Sequence, residues 1–222
     1  MTTDKNLMLN EANIEQYAKT VNTAETDSQY SISDNVNFPF TSFAGKQATR
    51  LIEGDCHIKS LVVSKQDWCP FNLIVNGNLT VDEDIDWAEW GSGSFLVVTG
   101  NLHVRNLFMS GCPEVVVLGD LIADNGIVGS RGDNGGMLTV LGRTKAQAML
   151  CTTYFGMEFA SRPEAFIIAD SRDFKFDVDL DETDYDMVAK AIDPVCFPEE
   201  EGIIEEDEFK DLLREGKSVL KK

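Results

Sequence analysis

Val75-Asn76-Gly77-Asn78-Leu79-Thr80-Val81 returns 23 residues later as Val98-Thr99-Gly100-Asn101-Leu102-His103-Val104, and again, shortened, as Val117-Leu118-Gly119-Asp120-Leu121. Extending the comparison outward adds Gly54 and Gly142, so five glycines stand at spacings of 23, 23, 19 and 23. Two residues before each glycine come Ile52, Val75, Val98, Val117 and Val140; four before come Arg50, Leu73, Leu96, Val115 and Leu138. Two after come Cys56, Leu79, Leu102, Leu121 and Thr144; four after come Ile58, Val81, Val104, Ala123 and Ala146. Alternate residues of a strand share a face, so these columns are expected to point inward together. The glycine marks a corner that needs φ > 0 or a close backbone approach. A third apolar cluster follows in most repeats, as at Leu61 to Val63 and Leu107 to Met109.

A repeat of this length with several short strands is one turn of a parallel β-helix, stacked at about 4.8 Å per coil. The hexapeptide left-handed helix would require a stricter repeat. Variation in coil length is expected in loops, at Trp87 to Ser94 and Ser110 to Glu114. A further column, three before the glycine, reads Leu51, Ile74, Val97, Val116 and Thr139. It should point outward, yet four of its members are aliphatic. A strand apolar on both faces is covered on both faces, so the flanking segments are expected to lie over this side, with a partner protein as the alternative.

The resulting fold class is an all-β core, a single-stranded parallel β-helix of about five coils, with helical N- and C-terminal caps. Residues 1–48 form the N-terminal helical or irregular cap, 49–160 the solenoid, and 161–222 a C-terminal helical segment. In the first, Ile14, Tyr17, Ala18 and Val21 fit a helix with Asn10 as N-cap. In the last, Thr183 to Ala191 reads as a helix ending before Pro194. Glu205 to Glu215 reads as another, with acids leading, bases following and Gly216 ending it.

Thirty-eight acidic against 19 basic residues give a formal net charge of −19. Such a surface repels nucleic-acid phosphates and anionic membranes and favours a basic protein partner. Neither a leader peptide nor a membrane-length apolar run is visible. Five scattered cysteines without a CxxC pair argue against a disulfide framework and a zinc site, and a reducing cytoplasm is the expected compartment.

No catalytic constellation, metal site or cofactor motif is visible, and no enzyme activity is expected. His57 and His103 both stand three after a corner glycine, two coils apart. That is about 9.6 Å, too far to share one metal. Asp177, Asp179 and Asp181 alternate like a calcium loop, but Glu182 and Val188 stand where that loop needs Gly and Glu. The stretch Asp82, Glu83, Asp84, Asp86, Trp87, Glu89 and Trp90 is the densest acidic run on the solenoid. Tryptophans among charges on one projecting loop read as a partner-binding surface.

The Val-x-Gly-[Asp/Asn]-Leu-x-Val segments, over residues 50 to 150 or so, resemble the coils of bacterial polymer-forming, bactofilin-like β-helix proteins. That resemblance implies head-to-tail filaments built from a bare core with disordered tails. The longer, uneven coils and folded-looking flanks depart from this pattern. They are more similar to a group of bacterial solenoid proteins with a helical C-terminal segment, whose ending Ile203 to Leu220 resembles. Some of that group are expected to serve as immunity proteins of interbacterial toxins. The expected function is therefore a cytoplasmic immunity protein, a monomer or small oligomer, that occludes a basic toxin domain. A bactofilin-like structural subunit is the alternative.

Overall fold

The computed structural model describes residues 2–36, 47–63, 71–132, 136–152, 154–169, 174–176, 185–198 and 204–221. The aliphatic runs around the corner glycines form the stacked strands of a parallel β-solenoid of about five turns. One wall is β3 (Ala48–Glu53), β5 (Phe71–Asn76), the end of β6 (Leu79–Val98), the end of β7 (Leu102–Val117), β9 (Met137–Val140) and β11 (Gly156–Phe159). After each corner the chain runs on through β4 (Cys56–Val63), the starts of β6 and β7, β8 (Leu121–Ser130), β10 (Thr144–Cys151) and β12 (Glu164–Ala169). Ile52, Val75, Val98, Val117 and Val140 pair in register as one ladder, each at most 1% exposed, and Phe159 extends it. The strands bend rather than break between walls, so β6 and β7 are 20 and 16 residues long.

The corner column is glycine mainly because successive coils approach closely there. A Cβ on Gly119 would stand 2.6 Å from the carbonyl oxygen of Gly100, well inside contact distance. The next residue completes the corner. Asp55, Asn78, Asn101 and Asp120 each accept, through Oδ1, the backbone N–H of the corresponding residue one coil on, at 2.8–2.9 Å. Each such bond contributes about 1 kcal/mol and holds the register of the stack. This explains why only Asp and Asn follow the first four corner glycines.

The flanks differ from a simple pair of helical caps. β1 (Thr2–Leu9) pairs in parallel with β4 and adds a strand to the first coil. α1 (Ile14–Tyr17) is a single turn, not the longer helix expected through Val21. The chain turns at Ala18 and forms β2 (Lys19–Val21), antiparallel to β3. The open edge of the first coil offers unpaired backbone groups, and pairing there outweighs helix propagation. Leu7, Leu9, Ile14 and Ala18 fill the interior at this end. Arg50, the one charged member of its inward column, pairs with Glu15 of α1 and bonds Thr20 of β2.

The expected cover over Leu51, Ile74, Val97 and Val116 is present. α2 (Thr23–Tyr30) and α3 (Ile32–Asn35) bring Tyr30, Ile32 and Val36 onto that column and Phe95. At the other end the repeat does not stop at 160, because β12 pairs with β10 and β13 (Phe174–Phe176) pairs with β11. α4 (Tyr185–Ala191) and α5 (Glu206–Arg214) lie along a second wall and do not plug the coil end. Val188, Ile192, Phe209 and Leu213 cover Phe108, Val128, Leu150 and Ile168. The Asp177, Asp179, Asp181 and Glu182 stretch lies outside the described residues.

Candidate functional site

Three walls meet the outside of the coil, and the chain covers two of them itself. The wall before the corner lies under α2 and α3, and the wall of Phe108 and Val128 lies under α4 and α5. The acidic stretch on β6 runs across these boundaries and is strand, not a projecting loop. Its alternation decides the fate of each side chain. Ile85 and Trp87 face inward, both 0% exposed. Trp87 stacks between Val63 and Met109 of adjacent coils, its indole N–H donates to Ser94 Oγ at 2.7 Å, and the ring meets Phe71 edge-on at 6.0 Å. Trp87 is therefore a core residue and is not available as an exposed anchor. Glu89 is 1% exposed and accepts the Gly93 N–H at 2.7 Å.

The remaining acids of this stretch divide by wall. Asp82 pairs with His57 at 2.7 Å and stays partly exposed, as does Glu83 beside Lys59. Asp84 accepts two N–H bonds from Arg105 and one from Asn106. Asp86 is 3.3 Å from Arg214 of α5 and helps dock that helix. The side chain of Trp90 lies outside the described residues. The overlooked signal was the period-two pattern Ile85-Asp86-Trp87, which continues the inward alternation of Leu79 and Val81 through one bend.

The C-terminal layer docks through more than the apolar face of Phe209, Leu212 and Leu213 and the charge order along α5. Arg214 lies over the Phe108 ring, 4.9 Å from its centre. Asn106 donates to the Leu213 carbonyl at 3.1 Å, and a Cβ on Gly126 would stand 2.4 Å from Leu213 Cδ1. Glu206 accepts from the Ser130 hydroxyl at 2.6 Å and pairs with Lys210, which is 8% exposed. Burial pushes the Glu206 carboxyl up, but the Lys210 and Ser130 donors outweigh this and hold it below its ordinary 4.5. A carboxyl lowered in the folded state adds stability above that ordinary value, and the contribution disappears as pH falls through the lower, folded value. Acidification below about pH 4.5 is therefore expected to loosen α5. Methyl NMR of Leu213 measures this, and Glu206→Gln should remove the pH dependence. Unchanged signals down to about pH 3 would count against it.

The outer side of this layer carries five exposed carboxylates among the described residues, and the C-terminal segment is acidic in sequence. Residues 161–222 hold 19 of the 38 acidic side chains against nine basic ones. Asp186, Asp207, Glu208, Asp211 and Glu215 are exposed there, beside exposed Met187 and Val195.

No described element covers the third wall. Its outward columns are His57, Thr80, His103, Ile122 and Lys145, then Lys59, Asp82, Arg105, Asp124 and Gln147 two residues on. His57 pairs with Asp82, and His103 repeats the geometry with Asp124 at 2.9 Å. A shallow depression of about 400 Å³ lies over His57, Thr80, His103 and the Asn78–Asn101 corner. Among the described residues no group of three or more His, Cys, Asp or Glu side chains is arranged to hold a metal. Cys56, Cys112, Cys151 and Cys196 are buried and form no disulfide among the described residues, and burial pushes the Cys56 thiol up to about 11 and Cys196 to about 12. No described helix is long and apolar enough to cross a membrane. Comparison with known proteins found no matching family model, no matching curated protein and no matching solved structure.

Proposed function

We propose that this chain is a non-catalytic binding protein that occludes a basic protein domain, as an immunity protein does to a toxin. The observation that carries this reading is the acidic outer side of α4 and α5. Its carboxylates ride on helices anchored to a rigid stack by Phe209, Leu213 and Arg214, so their geometry is preorganised. They should speed encounter with a cationic surface, an effect that weakens as salt rises. Exposed Met187 and Val195 supply apolar contact that charges alone lack. Asp82 and Glu83 remain available as secondary charges, while Trp87 and Glu89 leave the binding surface.

The test is binding kinetics against the product of the neighbouring reading frame, at low and physiological salt. Glu208→Lys with Asp211→Lys should slow association at least about tenfold at low salt and much less at high salt. Asp82→Asn with Glu83→Gln should change it less. Equal rates for all variants would remove α5 from the interface, and absence of binding would end the immunity reading. The second reading, a bactofilin-like filament subunit, needs open coil ends. β1 on β4 and the plug of Leu7, Leu9 and Ile14 weigh against it at the first coil. Filaments that lengthen with concentration would restore it.

A further inference from the structure

We infer that the uncovered wall is a self-recognition surface, on which a second copy of this chain docks with its coil axis reversed. This goes beyond the partner reading and does not depend on it. The outer column reads Lys59, Asp82, Arg105, Asp124 along four successive coils: cation, anion, cation, anion. A row of four alternating charges is self-complementary when reversed. A two-fold axis along the strand direction, between the second and third coils, sets Asp82 against Arg105 of the second copy and Lys59 against its Asp124. The symmetry repeats each pair, giving four interchain contacts from two residue pairings.

The neighbouring column agrees with the same axis. It sets Thr80 against His103, and the exposed Ile122 against the face of His57, so that exposed aliphatic side chain becomes covered. A parallel arrangement instead opposes the two columns of each coil, setting His103 against Arg105 and His57 against Lys59. That brings basic side chains together and is disfavoured.

The intrachain partners leave these groups available. Side-chain exposure is 40% for Lys59, 44% for Asp82, 32% for Arg105 and 59% for Asp124. The inward residues Ile58, Val81, Val104 and Ala123 pair in register just before the charged column, the register shifts within the next three residues of each pairing, and both other walls are already occupied. Five coils at about 4.8 Å and strands of about five residues at about 3.3 Å give a patch of about 400 Å² per copy. A dimer would bury roughly 800 Å², below the roughly 1,200–2,000 Å² of a stable specific interface, so the complex is weak and concentration-dependent. The −19 charge on each copy opposes it at low ionic strength, and physiological salt screens that long-range repulsion more than the contacting pairs.

Sedimentation equilibrium at physiological salt, up to about millimolar protein, tests this, since complexes of this size often form only at high concentration. The wild type should show a monomer–dimer equilibrium. Asp82→Arg alone and Arg105→Asp alone should each weaken it at least about tenfold, because like charges then face each other. An equimolar mixture of the two variants should dimerise again, since each substituted side chain meets its opposite across the axis. A purely structural role for these residues would not produce that rescue. If either variant fails to fold, Lys59→Asp with Asp124→Lys asks the same question. A wild type that stays monomeric throughout, single variants that dimerise like the wild type, or a mixture that shows no rescue would each overturn the inference.

Discussion

Val98→Asp is expected to abolish cooperative folding or lower the melting temperature by more than about 10 °C. Val98 sits in mid-ladder, 0% exposed, between Val75 and Val117 of the adjacent coils. A carboxylate there has no partner and loses its water, a penalty of several kcal/mol against a total stability of about 5–15 kcal/mol. The solenoid magnifies the effect, because one damaged coil interrupts the contacts of the coils on both sides. Lys145→Asp, on the uncovered wall, is the control and should change stability by less than about 0.5 kcal/mol. Circular dichroism melting of the two variants decides the matter. Similar melting curves would reject the inward assignment of the ladder.

Trp87→Ala should cost about 3–5 kcal/mol, from the cavity left between Val63 and Met109 and the unpartnered Ser94 hydroxyl. Its effect on any partner's kinetics should be small in the fraction that remains folded. A variant that keeps the wild-type melting temperature but releases a partner faster would mean that the indole is outside the core. Denaturant titration beside binding kinetics distinguishes the two. This substitution bears most directly on where the functional surface lies, because the indole was the strongest reason to place it on β6.

Asp84, Asp86 and Glu89 show why that stretch could not be placed from sequence. Acids beside tryptophans in an irregular coil look like an exposed loop when each charge is counted as solvated. Each of these carboxylates instead finds a donor far along the chain or across a turn: Arg105 and Asn106, Arg214, and the Gly93 backbone N–H. No local pattern announces Arg214 as the partner of Asp86, 128 residues away. The same holds for Arg50, which stands in an inward column and is tolerated because Glu15 and Thr20 reach it from the N-terminal flank.

What the amino-acid order determined by itself was the repeating core. Period-two alternation, the spacing of the corner glycines and the Asp/Asn column after them are local consequences of strand geometry and coil stacking. They suffice to place the inward ladder residue by residue. The doubly apolar column of Leu51, Ile74, Val97 and Val116 also announced that a cover must exist. The tertiary structure alone decided what supplies each cover and what stays bare. That α2 and α3 lie on one wall, that α4 and α5 lie on another, and that β1 completes the first coil depend on docking between distant segments. Their free energy comes from burying Tyr30, Phe209 and Leu213 against residues that only the coil brings together. The uncovered wall is what this competition leaves. Its alternating charges can be read from the sequence, but their exposure is a property of the assembled chain.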